Sequence, residues 1–168
     1  MKDRLVIEKG TLENIPDVLQ ILKENSEWLA SLGIKQWEPD YYLVKFNEDY
    51  YKRAVENSEL YVAKLDGAVC GTYTFRNYDL AWEDDGVSYF ICNIGVKLSM
   101  HGNEIGKTMI EFAKNEAKNL GAKKLKLDCV SNNEKLNKYF EDLGFRLLTT
   151  VVVNDRYTGN KRVYDIIK

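Results

Sequence analysis

The sequence predicts an α+β protein built on a mixed sheet, and three observations carry that expectation. Strand-like segments outnumber helical ones. Two of them, Leu60 to Leu65 and Ala68 to Phe75, flank Asp66-Gly67, a pair that favours the tight turn matching hairpin twist. A long strand, an amphipathic helix and another strand then follow, a βαβ-like unit after hairpins, which makes the sheet mixed.

The elements read in order as follows. Leu5, Ile7 and Lys9 form an alternating first strand. Ile15, Val18, Leu19, Leu22, Leu29 and Leu32 recur at helical spacing, with Pro16 near the first turn and Gly33 as the stop. Ile34 to Asp40 reads as a loop carrying an isolated Trp37, and Asn47 to Asn57 as a second helix with Tyr51, Ala54 and Val55 on one face. The acidic loop Glu83-Asp84-Asp85-Gly86 precedes a strand from Val87 to Val96. A helix from Ile105 to Leu120 turns Met109, Phe112, Ala113 and Ala117 inward and ends at Gly121. Leu125, Leu127 and Cys129 alternate in the next strand. Ser131 and Glu134 read as a capping box, and Leu136, Tyr139, Phe140 and Leu143 as the stripe of a short helix stopped by Gly144. Phe145 to Val153, a turn over residues 154–160 and a last strand from Arg162 to Ile167 complete the order.

Composition narrows the function classes. With no repeat and no Pro/Gly/Ser-rich linker, residues 1–168 are expected to form a single domain. A net charge of −2 and a pI of about 5.6 give no bulk attraction for nucleic acid. The charged fraction of 30% beside 45% hydrophobic residues is that of a globular chain. No apolar run reaches the roughly twenty residues a membrane span needs. Cys70, Cys92 and Cys129 stand singly in strand-like stretches, without metal-ligand spacing, and read as reduced thiols packed as small hydrophobes. The first residues lack an apolar leader, so a cytoplasmic location is expected.

The segment Ile94 to Lys107 carries most of the chemistry. A strand ends at Val96, a glycine-containing polar loop follows, and a helix begins at Ile105. At such a junction, N–H groups without intrahelical partners point outward beside the positive end of the helix dipole, ready for a phosphate or pyrophosphate. The later segment from Ser131 to Phe145 adds Asn133, the short helix and a Gly144-Phe145 ending.

Together the two segments resemble the GNAT family of acyl-CoA-dependent N-acetyltransferases, whose order of elements fits from Leu5 to Lys168. In that family the loop runs arginine or glutamine, two residues, glycine, one residue, glycine or alanine. Those positions are His101, Glu104 and Gly106 here, with a further glycine at Gly102. The resemblance implies a mostly antiparallel central sheet, flanked by about four helices, in which two parallel strands splay apart to admit acetyl-CoA as co-substrate. The backbone of Ile94, Gly95 and Val96 would then bond the pantetheine arm. His101, Gly102, Asn103, Glu104, Ile105, Gly106 and Lys107 would cradle the pyrophosphate, and Asn133 would lie where the cofactor passes the short helix. The implied reaction moves an acetyl group to a primary amine, of a small molecule or a peptide, by direct attack in a ternary complex. The Val96 N–H would serve as oxyanion donor, and neither a metal nor a covalent enzyme intermediate is required. Neither nucleic acid nor membrane is an expected partner, and a homodimer is allowed.

Two departures bear on that mechanism. Glu104 stands where glycine would let backbone approach phosphate, and a carboxylate there repels a pyrophosphate unless it turns to solvent. Counting back from Gly144, the family's usual tyrosine acid falls on Phe140, which has no hydroxyl, and neighbouring Tyr139 lies about 100° around the helix. Phe140 is nevertheless expected to face the thioester sulfur. The strand Tyr89 to Ile94 carries no carboxylate, so no general base is assigned; Asn93 either orders a relaying water or simply lines the groove. Glu83, Asp84 and Asp85 either attract a cationic amine or form a solvated loop. Trp37 and Tyr157 either stack on the acceptor or plug the core edge. His101 reads as a loop residue rather than a base. The missing acid and base leave a non-catalytic acyl-CoA-binding module as the alternative function.

Overall fold

The computed structural model describes residues 4–154 and 157–167. Seven strands form one sheet: β1 (Leu5–Lys9), β2 (Leu60–Leu65), β3 (Ala68–Arg76), β4 (Ser88–Val96), β5 (Lys124–Val130), β6 (Arg146–Asn154) and β7 (Tyr157–Asp165). Their order across the sheet is β1-β2-β3-β4-β5-β7-β6. Every neighbouring pair is antiparallel except β4 and β5. The hairpin between β2 and β3 turns on Asp66 at φ 52° and Gly67 at φ 84°, the two positive values that its sequence predicts.

Five α-helices are described: α1 (Ile15–Ser31), α2 (Pro39–Lys45), α3 (Glu48–Glu56), α4 (Ile105–Asn119) and α5 (Glu134–Asp142). Strand alternation divides them between the two faces of the sheet. Leu60 and Val62 pack with Ile15, Val18, Leu22, Tyr42, Tyr51 and Ala54 of the first three helices. Tyr61 and Ala63, one residue out of phase, join the core that holds Ile105, Met109, Ile110, Ala113 and Ala117 of α4 and Phe140 of α5. Met109 and Ile110 are fully enclosed, and each such side chain contributes about 1.5–3 kcal/mol to docking the helix.

Several sequence expectations need correction. The helix α2 was not expected; Pro39 sets its first turn, but seven residues with only Tyr42 buried carry too little pattern to read. Leu32 lies just past α1 and is exposed. Of the predicted turn over residues 154–160, residues 155 and 156 lie outside the described residues. Tyr157 to Asn160 belong to β7, because that stretch pairs with β5 on one side and β6 on the other. The N-cap of α5 is Asn133, whose Oδ1 accepts from the Leu136 N–H at 3.2 Å; Ser131 instead donates its backbone N–H to Thr158 O.

The site is set by how β4 leaves β5. Their parallel pairing covers only Ser88, Tyr89 and Phe90 against Lys124, Leu125 and Lys126. Opposite β3, the register of β4 slips between Thr72 and Thr74, and Asn93 takes φ 52°. An inserted residue of this kind bends and twists its strand, and it sits where the two parallel strands part.

Candidate active site

Beyond Phe90 and Lys126, a gap opens between β4 and β5. Ile94 and Val96 are half-buried along it, while Gly95 is covered by Ile21 and Leu22 of α1 and by Trp37. The Lys97 N–H donates to Cys70 O across the β3 edge. Strand alternation therefore turns the amide of Val96 the other way, toward the gap. The Val96 carbonyl is already engaged: Asn25 Nδ2 donates to it at 2.8 Å and His101 Nε2 lies 2.9 Å away. Because a carbonyl only accepts, Nε2 is the protonated nitrogen of His101. Its ring also meets Trp28 edge-on at 5.3 Å. The N–H of Val96 is thus the group presented to a ligand. Asn25, buried on α1, was not singled out by the sequence, since one asparagine within a helical stripe carries no signal of its own.

The predicted loop residues come together at the head of the gap. After a short helical turn at Leu98–Met100, His101, Gly102, Asn103 and Glu104 are exposed, Ile105 begins α4 and is buried, Gly106 is partly open and Lys107 is exposed. Glu104 is the N-cap of α4 at φ 60°, in the left-handed region where glycine is the default. That explains the family's glycine at this position. A Cβ added to Gly106 would stand 3.0 Å from Tyr139 Oη and 3.8 Å from Val96 Cγ2. Gly106, Val96 and the Tyr139 hydroxyl therefore converge on one small space at the mouth of the gap, beside the free N–H groups of the first helical turn. These residues suit a pyrophosphate with the acyl arm running on along β4. Asn133 stands past the end of β5 at the head of α5.

Replacing Glu104 by glycine should relieve the left-handed strain, stabilising the fold by up to about 1 kcal/mol, and should remove a negative charge from the cradle. The expected outcome of calorimetric titration is tighter acetyl-CoA binding by Glu104→Gly, with the gain fading as salt screens it. A gain equal at low and high salt would contradict the electrostatic part of this account.

The structure turns Phe140 into the core and not toward the gap, against expectation. Phe140 keeps only 3% of its surface, packed on Phe145 in the core, so it offers almost nothing to the gap. Tyr139 is 37% exposed and carries its hydroxyl to the first turn of α4. Burial, followed by the charges of Glu104 and Glu111, pushes its pKa up to about 12, so the phenol holds its proton at neutral pH.

Across the sheet, a second set of residues lines the gap from the α1–α2 side. Trp37 stacks on Tyr42 at 4.9 Å and packs, partly buried, against the core beneath α2. Tyr42 donates its hydroxyl to Asn93 Oδ1 at 2.8 Å, while Asn93 Nδ2 is buried without a partner. Of the acidic loop, Glu83 and Asp84 are exposed. Asp85 is bound to Lys126 Nζ and to the Ser88 hydroxyl, each at 2.8 Å. Although desolvation works against it, the Lys126 bond holds the Asp85 carboxyl well below its usual range.

Among the described residues, the carboxylates that reach the gap are Asp79 and Asp128, which the sequence reading did not select. Asp79 accepts from the Cys92 thiol at 3.5 Å, and Asp128 accepts from the Tyr157 hydroxyl at 3.1 Å. Tyr157 is thereby committed to a carboxylate. No helix among the described residues is long and apolar enough to cross a membrane, and they hold no cluster of three or more potential metal ligands.

Comparison with known proteins agrees with this fold. The acetyltransferase (GNAT) family model matches residues 19–145. An uncharacterized N-acetyltransferase of Bacillus subtilis (strain 168), YesJ, is 20% identical over 144 residues, covering 81% of this chain and 78% of that protein. The PaiA N-acetyltransferase from Thermoplasma acidophilum, solved with coenzyme A, superposes with a TM-score of 0.78 at 14% identity, over 96% of this chain and 98% of that one. A putative acetyltransferase from Salmonella typhimurium, YncA, solved with acetyl-CoA, gives 0.75 at 13% identity, over 98% and 95%. At such identities the structural likeness speaks for the fold.

Proposed function

The chain belongs to the GNAT acetyltransferase family, and from that premise we propose that it is an N-acetyltransferase, moving the acetyl group of acetyl-CoA to a primary amine bound beside it. The observation that carries this reading is the gap after Phe90 and Lys126, with the Val96 amide turned into it and the first turn of α4 at its head. The co-substrate supplies an activated acyl carbon. The chain supplies the α4 N-terminus, with the Tyr139 hydroxyl beside it, for the pyrophosphate, and the backbone of Val96 and then Ile94 for the acyl arm and the developing oxyanion further along the gap. A small-molecule or peptide amine is the partner, and the cytoplasm is the place of action.

The test is thiol release from acetyl-CoA with a panel of amines (tyramine, 1,4-diaminobutane, lysine methyl ester, glycinamide), with the product identified by mass. Acetylated amine is the expected product. Tyr139→Phe, which removes a hydroxyl beside the pyrophosphate, should weaken acetyl-CoA binding by up to about tenfold, with kcat little changed. Acetyl-CoA binding without transfer to any amine would favour the acyl-CoA-binding module instead.

A further inference from the structure

We infer that Asp128 receives the proton of the incoming amine, which makes the acceptor an amine that arrives as a cation. This deepens the reading above and rests on it.

The first support is position. The parallel register pairs Ser88 with Lys124 and Phe90 with Lys126. Two residues further along each strand stand Cys92 and Asp128, the first level at which the strands have parted. Leu127 and Cys129 are buried in the α4 and α5 core, so alternation turns Asp128 to the opposite face, the side of α1 and α2. There it is open to solvent while its flanking neighbours are buried. The carboxylate is thus reached by water where β4 and β5 part, between strand neighbours that are packed away.

The second support is its surroundings. The groups facing Asp128 come from three elements: Tyr157 and Lys161 of β7, Asp79 of the loop after β3, and Cys92 of β4. Desolvation raises the carboxyl above its ordinary range, the Tyr157 hydroxyl bond opposes that, Asp79 adds to it, and Lys161 opposes it. Lys161 is drawn aside: its Nζ donates to Ala81 O and lies over the Trp82 ring. Among the described residues this side of the gap therefore keeps two carboxylates, Asp79 and Asp128, while β4 has none to offer. A base whose pKa moves toward the working pH is better suited to take a proton.

The step balances without further reagents. An ammonium N–H bond breaks and its proton passes to the Asp128 carboxylate. The freed lone pair forms the C–N bond at the acetyl carbon, and the C–S bond breaks with its electron pair on sulfur. Water gives the sulfur a proton and takes the second one from the nitrogen, so one proton in all leaves through Asp128.

The experiment combines a carboxyl titration with kinetics. By carbon-detected NMR of the protein alone, the Asp128 carboxyl should titrate above the ordinary aspartate value. Tyr157→Phe, which removes the bond that stabilises the carboxylate, should move it higher still. With an amine that the wild type acetylates, the acid limb of the kcat/KM profile should follow Asp128, move to higher pH in Tyr157→Phe and disappear in Asp128→Asn. Asp128→Asn should also lose about a hundredfold in kcat/KM near neutral pH, with acetyl-CoA affinity and melting temperature close to wild type. Transfer by Asp128→Asn at the wild-type rate, or an acid limb unmoved by either variant, would overturn the inference and leave the N-acetyltransferase reading standing. A wild type that binds acetyl-CoA and acetylates no amine would overturn both.

Discussion

Gly106→Asp is expected to lower acetyl-CoA affinity by at least tenfold, or about 1.4 kcal/mol, in a protein that still folds. The fold should survive because an added Cβ meets the Tyr139 hydroxyl at 3.0 Å, the far end of a side chain that is partly exposed and free to shift. Binding should suffer because the same atoms fill the space shared with Val96, and because the new carboxylate stands within the first turn of α4, where a phosphate would take the free N–H groups. Gly106→Ala separates the two effects: bulk without charge should cost less, and its loss should not depend on salt. Calorimetric titration reads both. Wild-type affinity in a folded Gly106→Asp protein would remove this loop from the cofactor site.

Asn137→Ala should be among the most damaging single truncations for stability. Asn137 Oδ1 accepts from Arg162 Nη2 at 3.0 Å, from Arg162 Nε at 3.2 Å and from Asn160 Nδ2 at 2.8 Å. Its Nδ2 donates to Val130 O at 3.0 Å and to Asn133 O at 2.9 Å. The Arg162 guanidinium is only 2% exposed and keeps just Phe145 O and Glu141 once that acceptor is lost. Val130 O and Asn133 O keep the backbone N–H groups of Asn133 and Asn137, but a buried charge stripped of its main acceptor should cost about 3 kcal/mol. At this chain length that is a Tm lower by roughly 6–12 °C. A loss below about 1 kcal/mol in thermal or denaturant unfolding would mean that water or a neighbour replaces the amide. The same network ties α5 to β5 and β7, so it also fixes Tyr139 at the mouth of the gap.

The sequence disclosed what rests on periodicity and on local turn chemistry. The hairpin at Asp66-Gly67, the stripe of α4 and the stop at Gly121 each follow from a handful of adjacent residues, and the structure holds all three. The turn from β4 into α4 over His101 to Lys107 was legible for the same reason: a strand end, a glycine and a helix start stand in one run of sequence. What escaped was set by contacts distant along the chain. Asp128 looks like one polar residue in an alternating strand until β4 parts from β5 beside it and Tyr157 reaches across from β7. Tyr139 and Phe140 both fit the apolar stripe of α5, and only the packing of Phe140 on Phe145 decides which ring is buried. The helix α2, too short to show a period, depends on the stacking of Tyr42 and Trp37.

The central claim, that acetyl-CoA lies in the gap between β4 and β5 with its pyrophosphate on the turn into α4, is tested most directly by amide hydrogen exchange with and without acetyl-CoA. The account predicts slowed exchange at Ile94, Val96 and the amides from Gly102 to Lys107, with β1 and β2 unchanged. Protection confined to the β1–β2 side of the sheet, or none at a saturating acetyl-CoA concentration, would contradict it.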